Sequence, residues 1–222
     1  MFAAAAGFSG PLGLSGLESD PAVASMSKND FLVILGDSGV FAPRADLRRI
    51  AEEYRSLPCS VLFLDGPGDD YDLIGDYPPF PWNGGTVHTV SRGLIHLTRG
   101  QVFRLGGKTV LTMGGKTVPG RTDAGRYWDW WPEQDSSQED ADTACGNVRK
   151  AGGKADIVLT CDCPRSWKRY ASGSDVPQSA EVLESVLRRI GYGHWYFAGD
   201  GSGEEFPEVR ATAVFRRIIP FA

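Results

Sequence analysis

The chain has 222 residues, of which 41% are hydrophobic and 23% are charged, and its formal net charge is −5 at pH 7. This balance is ordinary for one soluble globular domain and argues against a binder of duplex nucleic acid, which usually carries a basic stripe. A small anionic ligand is compatible with it, because a few local cations are enough to bind a phosphate within an acidic protein.

The N-terminal run Met1–Leu17 is apolar, but it lacks a basic n-region and is interrupted by glycines and a proline. It predicts neither a signal peptide nor a membrane span, so we expect no membrane partner. The cysteines have the spacing of neither a dense disulfide framework nor a paired zinc motif, which indicates reduced thiols. We therefore expect a cytoplasmic protein whose Cys59, Cys145, Cys161 and Cys163 are unpaired.

Apolar segments of strand length recur along the chain, and turns rich in Gly or Asp follow them. The short, continuous ones indicate strands buried on both faces. The predicted strands are Met1–Ala6, Phe31–Leu35, Val61–Leu64, Val87–Val90, Leu94–Leu97, Gln101–Leu105, Thr109–Met113, Ile157–Thr160, Trp195–Phe197 and Ala211–Ile218.

Three helices are predicted between these strands, at Ala45–Ser56, Ser136–Ala151 and Ala180–Ile190. The middle of the chain, residues 84–113, has the turn signals of hairpins. The sequence contains no internal repeat and no long linker, which predicts a single domain over residues 1–222. The alternation of strands and helices predicts an α/β fold in which helices cover a mixed sheet.

Five predicted strands end in distinctive loops. In open α/β sheets, ligands bind outside the carboxyl ends of the strands, so these loops mark the predicted functional site. The loops are AGFSG (residues 6–10), GDSG (36–39), DGPGDD (65–70), TCDCP (160–164) and AGDGSG (198–203).

In order and spacing, the five loops resemble the metal-site loops of the calcineurin-like metallophosphoesterases, whose motifs are D-x-H, GD, GNHE, a strand-terminal His and GHxH. The resemblance covers nearly the whole chain through FLVILGDSG, VLFLDGPGDDYDLI, DIVLTCDCP and HWYFAGDGS. The segment GGTVHTVSRGLIHLTRGQVFRLGGKTVLTMGG resembles a bacterial subgroup of small phosphoesterases. The resemblance implies the calcineurin-like phosphoesterase fold, in which helices sandwich two mixed β-sheets in four αββα layers.

This sequence departs from the family at most positions that would hold metal. The bridging Asp of the second motif is retained as Asp37, and Asp69 stands where the Glu of the third motif would be. The remaining motif positions carry residues without imidazole, amide or carboxylate groups. These replacements are Gly7 and Ser9 in the first motif, Pro67 and Gly68 in the third, Cys161 in the fourth, and Gly199 and Gly201 in the last, where Asp200 lies between them.

Two-metal hydrolysis needs two cations roughly 3.5–4 Å apart that fixed ligands hold. Glycine and proline supply no side-chain ligand, and none of the three histidines of the chain falls at a motif position. We therefore expect a pseudoenzyme without catalytic residues, with no cofactor and no divalent metal pair. A single cation held by Asp37, Cys161 and Asp200 is the weaker metal hypothesis.

A pocket with glycine-rich walls and free backbone N–H groups would remain, and such walls can cradle an anion. Four cations could replace the charge of the metals, namely Lys116, Arg121, Arg126 and Arg99. The tryptophan cluster Trp128, Trp130 and Trp131 could stack on a base. The sequence thus predicts a domain that binds, and in doing so sequesters, a phosphate-containing small molecule such as a nucleotide signal. The ligand-binding candidates are Ser9, Asp37, Ser38, Gly66, Gly68, Asp69, Lys116, Arg121, Arg126, Trp130, Cys161 and Asp200.

Two other functions stay open. The tryptophans near Trp130 could anchor a protein-interaction scaffold, and a homo-oligomer is compatible with such a cluster. A residual phosphoesterase with altered metal use is the third hypothesis, although no histidine is placed to activate Cys161. A structural interpretation competes at other positions: we expect His88 and His96 to be satisfied within strand pairs, and Arg99 to bond backbone carbonyls.

Overall fold

The computed structural model describes residues 1–7, 16–118, 131–167, 176–199 and 204–221. These residues form an α/β structure with two mixed β-sheets and flanking helices. No helix within these ranges is long and apolar enough to cross a membrane.

The first sheet has seven strands in the order β13-β1-β2-β3-β6-β5-β4. Its central strands β1, β2, β3 and β6 are parallel, and antiparallel strands complete both sides. The strands are β1 (Phe2–Ala5), β2 (Phe31–Ile34), β3 (Ser60–Phe63), β4 (Pro79–Trp82), β5 (Gly85–Ser91), β6 (Leu94–Leu97) and β13 (Ile218–Pro220).

The second sheet has six strands in the order β11-β12-β10-β9-β8-β7. Strands β12, β10, β9 and β8 are parallel, whereas β11 and β7 are antiparallel edges. The strands are β7 (Gln101–Leu105), β8 (Lys108–Met113), β9 (Lys154–Thr160), β10 (Gly191–Ala198), β11 (Glu205–Phe206) and β12 (Ala211–Val214).

The described helices pack against the outer faces of the sheets. Helix α4 begins with a capping box, in which the Ser137 hydroxyl accepts from the Asp140 N–H and the Asp140 carboxylate accepts from the Ser137 N–H. The helices are α1 (Pro21–Ala24), α2 (Leu47–Ser56), α3 (Tyr71–Gly75), α4 (Gln138–Lys150) and α5 (Gln178–Leu187), with short 3-10 turns at Pro132–Gln134, Arg165–Trp167 and Pro207–Val209.

Three hydrophobic clusters explain why the central strands are apolar throughout. Successive side chains of a strand point to opposite faces, so Leu32 faces the helix layer whereas Val33 faces the other sheet. One cluster joins the first sheet to α2, a second joins the other sheet to α4 and α5, and the third lies between the sheets. The layers therefore run helix, sheet, sheet, helix.

The predicted elements agree with the structure, except that elements containing proline or only a few residues lack a clear hydrophobic pattern. Strand β4 was not predicted because Pro79 and Pro81 fall within it, and proline is tolerated there because β4 is an edge strand. The single predicted strand Ala211–Ile218 is wrong. It divides into β12 and β13, which belong to different sheets, and Arg216 between them has a positive φ of 46°.

We expect Leu62→Ala to lower the free energy of unfolding by about 2–5 kcal/mol, because Leu62 is fully buried between the sheets and truncation would leave a cavity. Equilibrium unfolding in urea measures this loss. The matched control is Phe80→Ala on edge strand β4, where the side chain is 59% exposed, and it should change stability by no more than about 0.5 kcal/mol. Equal losses in both variants would contradict the layer arrangement.

Candidate functional site

The described strand-exit loops of both sheets meet at the carboxyl ends of the parallel strands. Gly36 follows β2 and Gly66 follows β3 in the first sheet, whereas Cys161 follows β9 in the second. A Cβ added to Gly36 would lie 2.3 Å from the Cys161 Sγ, and one added to Gly66 would lie 2.5 Å from the Asp37 N. Only glycine allows approaches this close, so these glycines bring the loops together.

Asp37 lies at the centre of this meeting point. Its φ of 49° places it in the left-handed region, which Asp tolerates better than most residues. Its Oδ1 accepts a hydrogen bond from the Gly68 N–H at 2.9 Å, which fastens the β2 loop to the β3 loop. We predicted free N–H groups in these walls, and the prediction is wrong at Gly66 and Gly68. The protein's own carboxylates already accept from both.

Asp69 supplies the second of these carboxylates. Its Oδ2 accepts from the Gly66 N–H at 2.8 Å, while its Oδ1 has no partner among the described residues and the side chain is 1% exposed. Burial raises the pKa of Asp69 well above its usual value, despite the bond from Gly66, and the charges of Asp37 and Asp65 raise it further. Asp69 is therefore a neutral acid over part of the pH range in which ordinary carboxyl groups are ionised.

Asp65 forms the centre of a buried polar network beside the same loops. Its Oδ2 accepts from Arg99 Nε at 2.9 Å, from Arg99 Nη2 at 2.5 Å and from the Tyr71 hydroxyl at 2.9 Å. Burial alone would raise the pKa of Asp65, but the charge of Arg99 and the hydrogen bond from His96 outweigh burial and hold that pKa far below its usual value. Asp65 is consequently ionised throughout the ordinary pH range.

Two histidines extend this network along β5 and β6. The His96 Nε2 lies 3.3 Å from the Asp65 Oδ1, and the His96 Nδ1 lies 3.1 Å from the His88 Nδ1. Burial and the neighbouring His96 lower the pKa of His88. The prediction that both histidines are satisfied within strand pairs is confirmed for His96, whose two ring nitrogens have partners, and only in part for His88, whose Nε2 no described residue bonds.

Arg99 connects the network to the segment before α4. It donates to the carbonyl oxygens of Glu133 (2.7 Å) and Asp135 (3.2 Å) as well as to Asp65, and its side chain is 13% exposed. The prediction of carbonyl bonds is thus confirmed, although the ion pair with Asp65 was not predicted. Gly115 lies so close that a Cβ there would be 2.6 Å from the Arg99 Nη2.

Cys161 is a buried thiol rather than an exposed nucleophile. Burial raises its pKa well above the usual value, Asp37 raises it further, and Lys116 acts in the opposite direction. A thiol with a raised pKa is protonated and unreactive near neutral pH. Lys116 follows Gly115, whose N–H donates to the Asp65 carbonyl oxygen at 2.9 Å, so the backbone of one predicted cation lies beside the β3 loop.

The structure brings together part of the predicted set. Asp37, Gly66, Gly68, Asp69 and Cys161 are neighbours, and Lys116 lies close to them. The other candidates Ser9, Arg121, Arg126, Trp130 and Asp200 lie outside the described residues.

Ser38 serves the scaffold instead of facing a ligand. It is 3% exposed, its hydroxyl accepts from the Val40 N–H, and its carbonyl oxygen accepts from the Tyr54 hydroxyl at 2.6 Å. Next to the predicted tryptophan cluster, the Trp131 Nε1 donates to the Asp72 carboxylate of the same chain.

The residues missed by sequence reasoning are those of the Asp65 network. The sequence predicts no specific role for either Asp65 or Tyr71. A signal did exist, because Asp65 directly follows an uninterrupted apolar strand, where a carboxylate needs a partner to be buried. The sequence does not show which of many arginines provides that partner.

No protein-family model and no curated protein matches this chain. Its function must therefore be argued from its own residues. In the part of the chain that the structure describes, no group of three His, Cys, Asp or Glu residues is arranged to hold a metal ion.

We expect Asp69→Asn to raise the free energy of unfolding at pH 8. The folded state holds the Asp69 proton more tightly than the unfolded state does, so wild-type stability falls as pH rises from the unfolded pKa towards the raised folded pKa. Asn keeps an acceptor for Gly66 and cannot ionise. The gain should therefore disappear near pH 4, as urea unfolding at a series of pH values would show.

The contrasting control is Asp65→Asn. Asp65 has a lowered folded pKa, so its contribution is present above the unfolded pKa and is lost only as pH falls through the folded value. Its removal leaves Arg99 buried without its charge partner and should cost about 3–5 kcal/mol at pH 8. A loss of stability in Asp69→Asn at pH 8 would contradict the assignment of Asp69 as a buried neutral acid.

Proposed function

We propose that this protein is a catalytically inactive, metallophosphoesterase-like domain that binds a phosphate-containing small molecule, such as a nucleotide, at its strand-exit loops. One observation carries the proposal: loops from both sheets meet around Asp37, and their walls are glycine and proline where a calcineurin-like enzyme would have metal ligands. The layered pair of mixed sheets supports the same family likeness.

The residues that are present do not fit a metal pair. Pro67, Gly66 and Gly68 have no ligating side chain. The Asp37 Oδ1 already accepts from the Gly68 N–H, and Cys161 is buried with a raised pKa, which opposes the thiolate that a metal needs. These residues therefore do not support hydrolysis through two cations.

Phosphate binding would use the accessible part of the site. Gly68 is exposed, Asp37 is half-buried and Lys116 is half-buried near them, whereas Asp69 and Cys161 lie behind. An ammonium group attracts phosphate as a point charge. Asp37 opposes phosphate binding, because its carboxylate already accepts the hydrogen bond of the Gly68 N–H and repels a second anion. We therefore propose that the phosphate group of the ligand competes with the Asp37 carboxylate for the Gly68 N–H.

Two substitutions should change binding in opposite directions. Lys116→Met should weaken nucleotide binding by about tenfold, the effect of losing one charge-assisted hydrogen bond. Asp37→Asn should tighten it, because Asn tolerates the left-handed backbone and removes the competing charge. Isothermal titration calorimetry with a panel of mononucleotides and cyclic nucleotides measures both effects. Lys150→Met, at the exposed end of α4, is the matched control.

The absence of binding by every nucleotide at millimolar concentration would overturn the proposal, as would a Lys116→Met variant that binds like the wild type. A second candidate is a residual phosphoesterase that uses one cation, for which Asp37 is a half-buried carboxylate at the meeting point of the loops. Titration with Mn²⁺ or Zn²⁺ separates the two. Stoichiometric metal binding that Asp37→Asn abolishes, in a protein indifferent to nucleotides, would establish that candidate instead.

A further inference from the structure

A cavity lies beside the Asp65 network, and neither Asp37 nor Gly68 lines it. Its volume is about 290 Å³, close to the lower limit for small-molecule sites. Ile74 and the ring of Tyr71 contribute apolar wall, and Arg99 lies over that ring with its Cζ 5.4 Å from the centroid. The remaining lining residues are Asp65, His88, His96, Thr98, Glu133 and Asp140.

The hydrogen-bond donors of this lining are already used. Arg99 donates to Asp65, Tyr71 and two carbonyl oxygens. The Tyr71 hydroxyl donates towards Asp65 or the Gly66 carbonyl oxygen, and the Thr98 hydroxyl donates to the Thr86 carbonyl oxygen. The exception is the second Nη1 N–H of Arg99, which bonds no described residue, although that nitrogen lies 3.6 Å from the Asp140 Oδ2.

The orientation of the histidine pair follows from the charge of Asp65. An ionised carboxylate only accepts hydrogen bonds, so the His96 Nε2 carries a proton and donates to Asp65. In the form of the pair in which both rings are neutral, His96 accepts at Nδ1 and the His88 Nδ1 is the donor. The His88 Nε2 is left as an acceptor, and no described residue bonds to it.

The side chains that line the cavity therefore offer mainly hydrogen-bond acceptors to a ligand. These acceptors are the His88 Nε2, the Glu133 carboxylate and the second oxygen of Asp140, whose Oδ2 already accepts from Ser137 and faces Arg99. Arg99 balances the charge of Asp65, so Glu133 and Asp140 give the lining an excess of negative charge. Such a site repels anions. Its acceptors would also stay without partners if the ligand had no hydrogen-bond donors.

We propose that this cavity binds a compact organic cation whose ammonium group donates hydrogen bonds to His88, Glu133 and Asp140. The alkyl part of the ligand would contact Ile74 and Tyr71. This site is independent of the proposed phosphate site, since it uses neither Lys116 nor Asp37. The two can therefore fail or succeed separately.

The probe is n-butylammonium chloride, with n-butanol and sodium butyrate as neutral and anionic analogues of the same size. Titration followed through the imidazole signals of His88 and His96 by NMR gives the location and the affinity together. The expected result is saturable binding of n-butylammonium at millimolar concentration at pH 8, with shifts of the His88 ring, and no saturation with either analogue. Equal binding of n-butanol or butyrate, or no shift at 100 mM n-butylammonium, would overturn the proposal.

Substitutions and pH test the assigned acceptors. His88→Phe should weaken binding by about tenfold and Glu133→Gln by about threefold, because Glu133 is exposed. Glu139→Gln, on the first turn of α4 and outside the cavity lining, is the matched control and should have no effect. Unchanged affinity in both His88→Phe and Glu133→Gln would contradict the site.

Acid should also abolish binding. A proton added to the histidine pair turns the His88 Nε2 into a donor, whichever of the two rings carries the added charge, and a donor there opposes a cation. The charged and titratable groups that face the pair are Asp65, Arg99, Tyr71, Glu133 and Asp140. Affinity that stays constant from pH 8 to a pH at which the NMR signals show the pair protonated would contradict the assigned tautomers.

Discussion

A buried carboxylate organises this end of the molecule. Asp65 follows β3 in the first sheet and bonds Arg99, Tyr71 and His96. Arg99 in turn bonds the carbonyl oxygens of the segment before α4, which packs on the second sheet. An ion pair removed from water stabilises a structure best when its remaining polar groups are satisfied, and here Arg99 also bonds two carbonyl oxygens while Asp65 also accepts from Tyr71. The Asp65 network therefore holds the strand-exit loops in fixed positions where they meet.

The loops around Asp37 differ from that network in their electrostatics. Asp65 has a compensating cation, whereas Asp69 has an oxygen to which no described group bonds and two carboxylates near it. Neutralising Asp69 with a proton is the least costly way to keep it buried. The site thus has glycine walls, a carboxylate that occupies the Gly68 N–H, and Lys116 in the loop after β8. These features are the basis on which we propose reversible binding of a small anion.

Much of the fold could be predicted from the sequence because central parallel strands are buried on both faces. Uninterrupted segments such as Phe31–Leu35 and Val61–Leu64 carry that signal directly. The grouping of the strands into two sheets could not be deduced from periodicity and came only from family resemblance. Asp37, Gly66 and Cys161 were predicted as neighbours since loops at strand ends converge. The Asp65–Arg99 pair was missed, because pattern shows that a carboxylate needs a partner but not which distant residue supplies it.

The central claim is that the side chains at the meeting point of the loops cannot hold a pair of catalytic metals. Elemental analysis of protein purified after growth with added manganese and zinc, combined with an assay of bis-p-nitrophenyl phosphate hydrolysis on the same sample, tests it most directly. The account predicts substoichiometric metal and no turnover above that of Asp37→Asn. Two equivalents of a transition metal together with robust turnover that Asp37→Asn abolishes would contradict it.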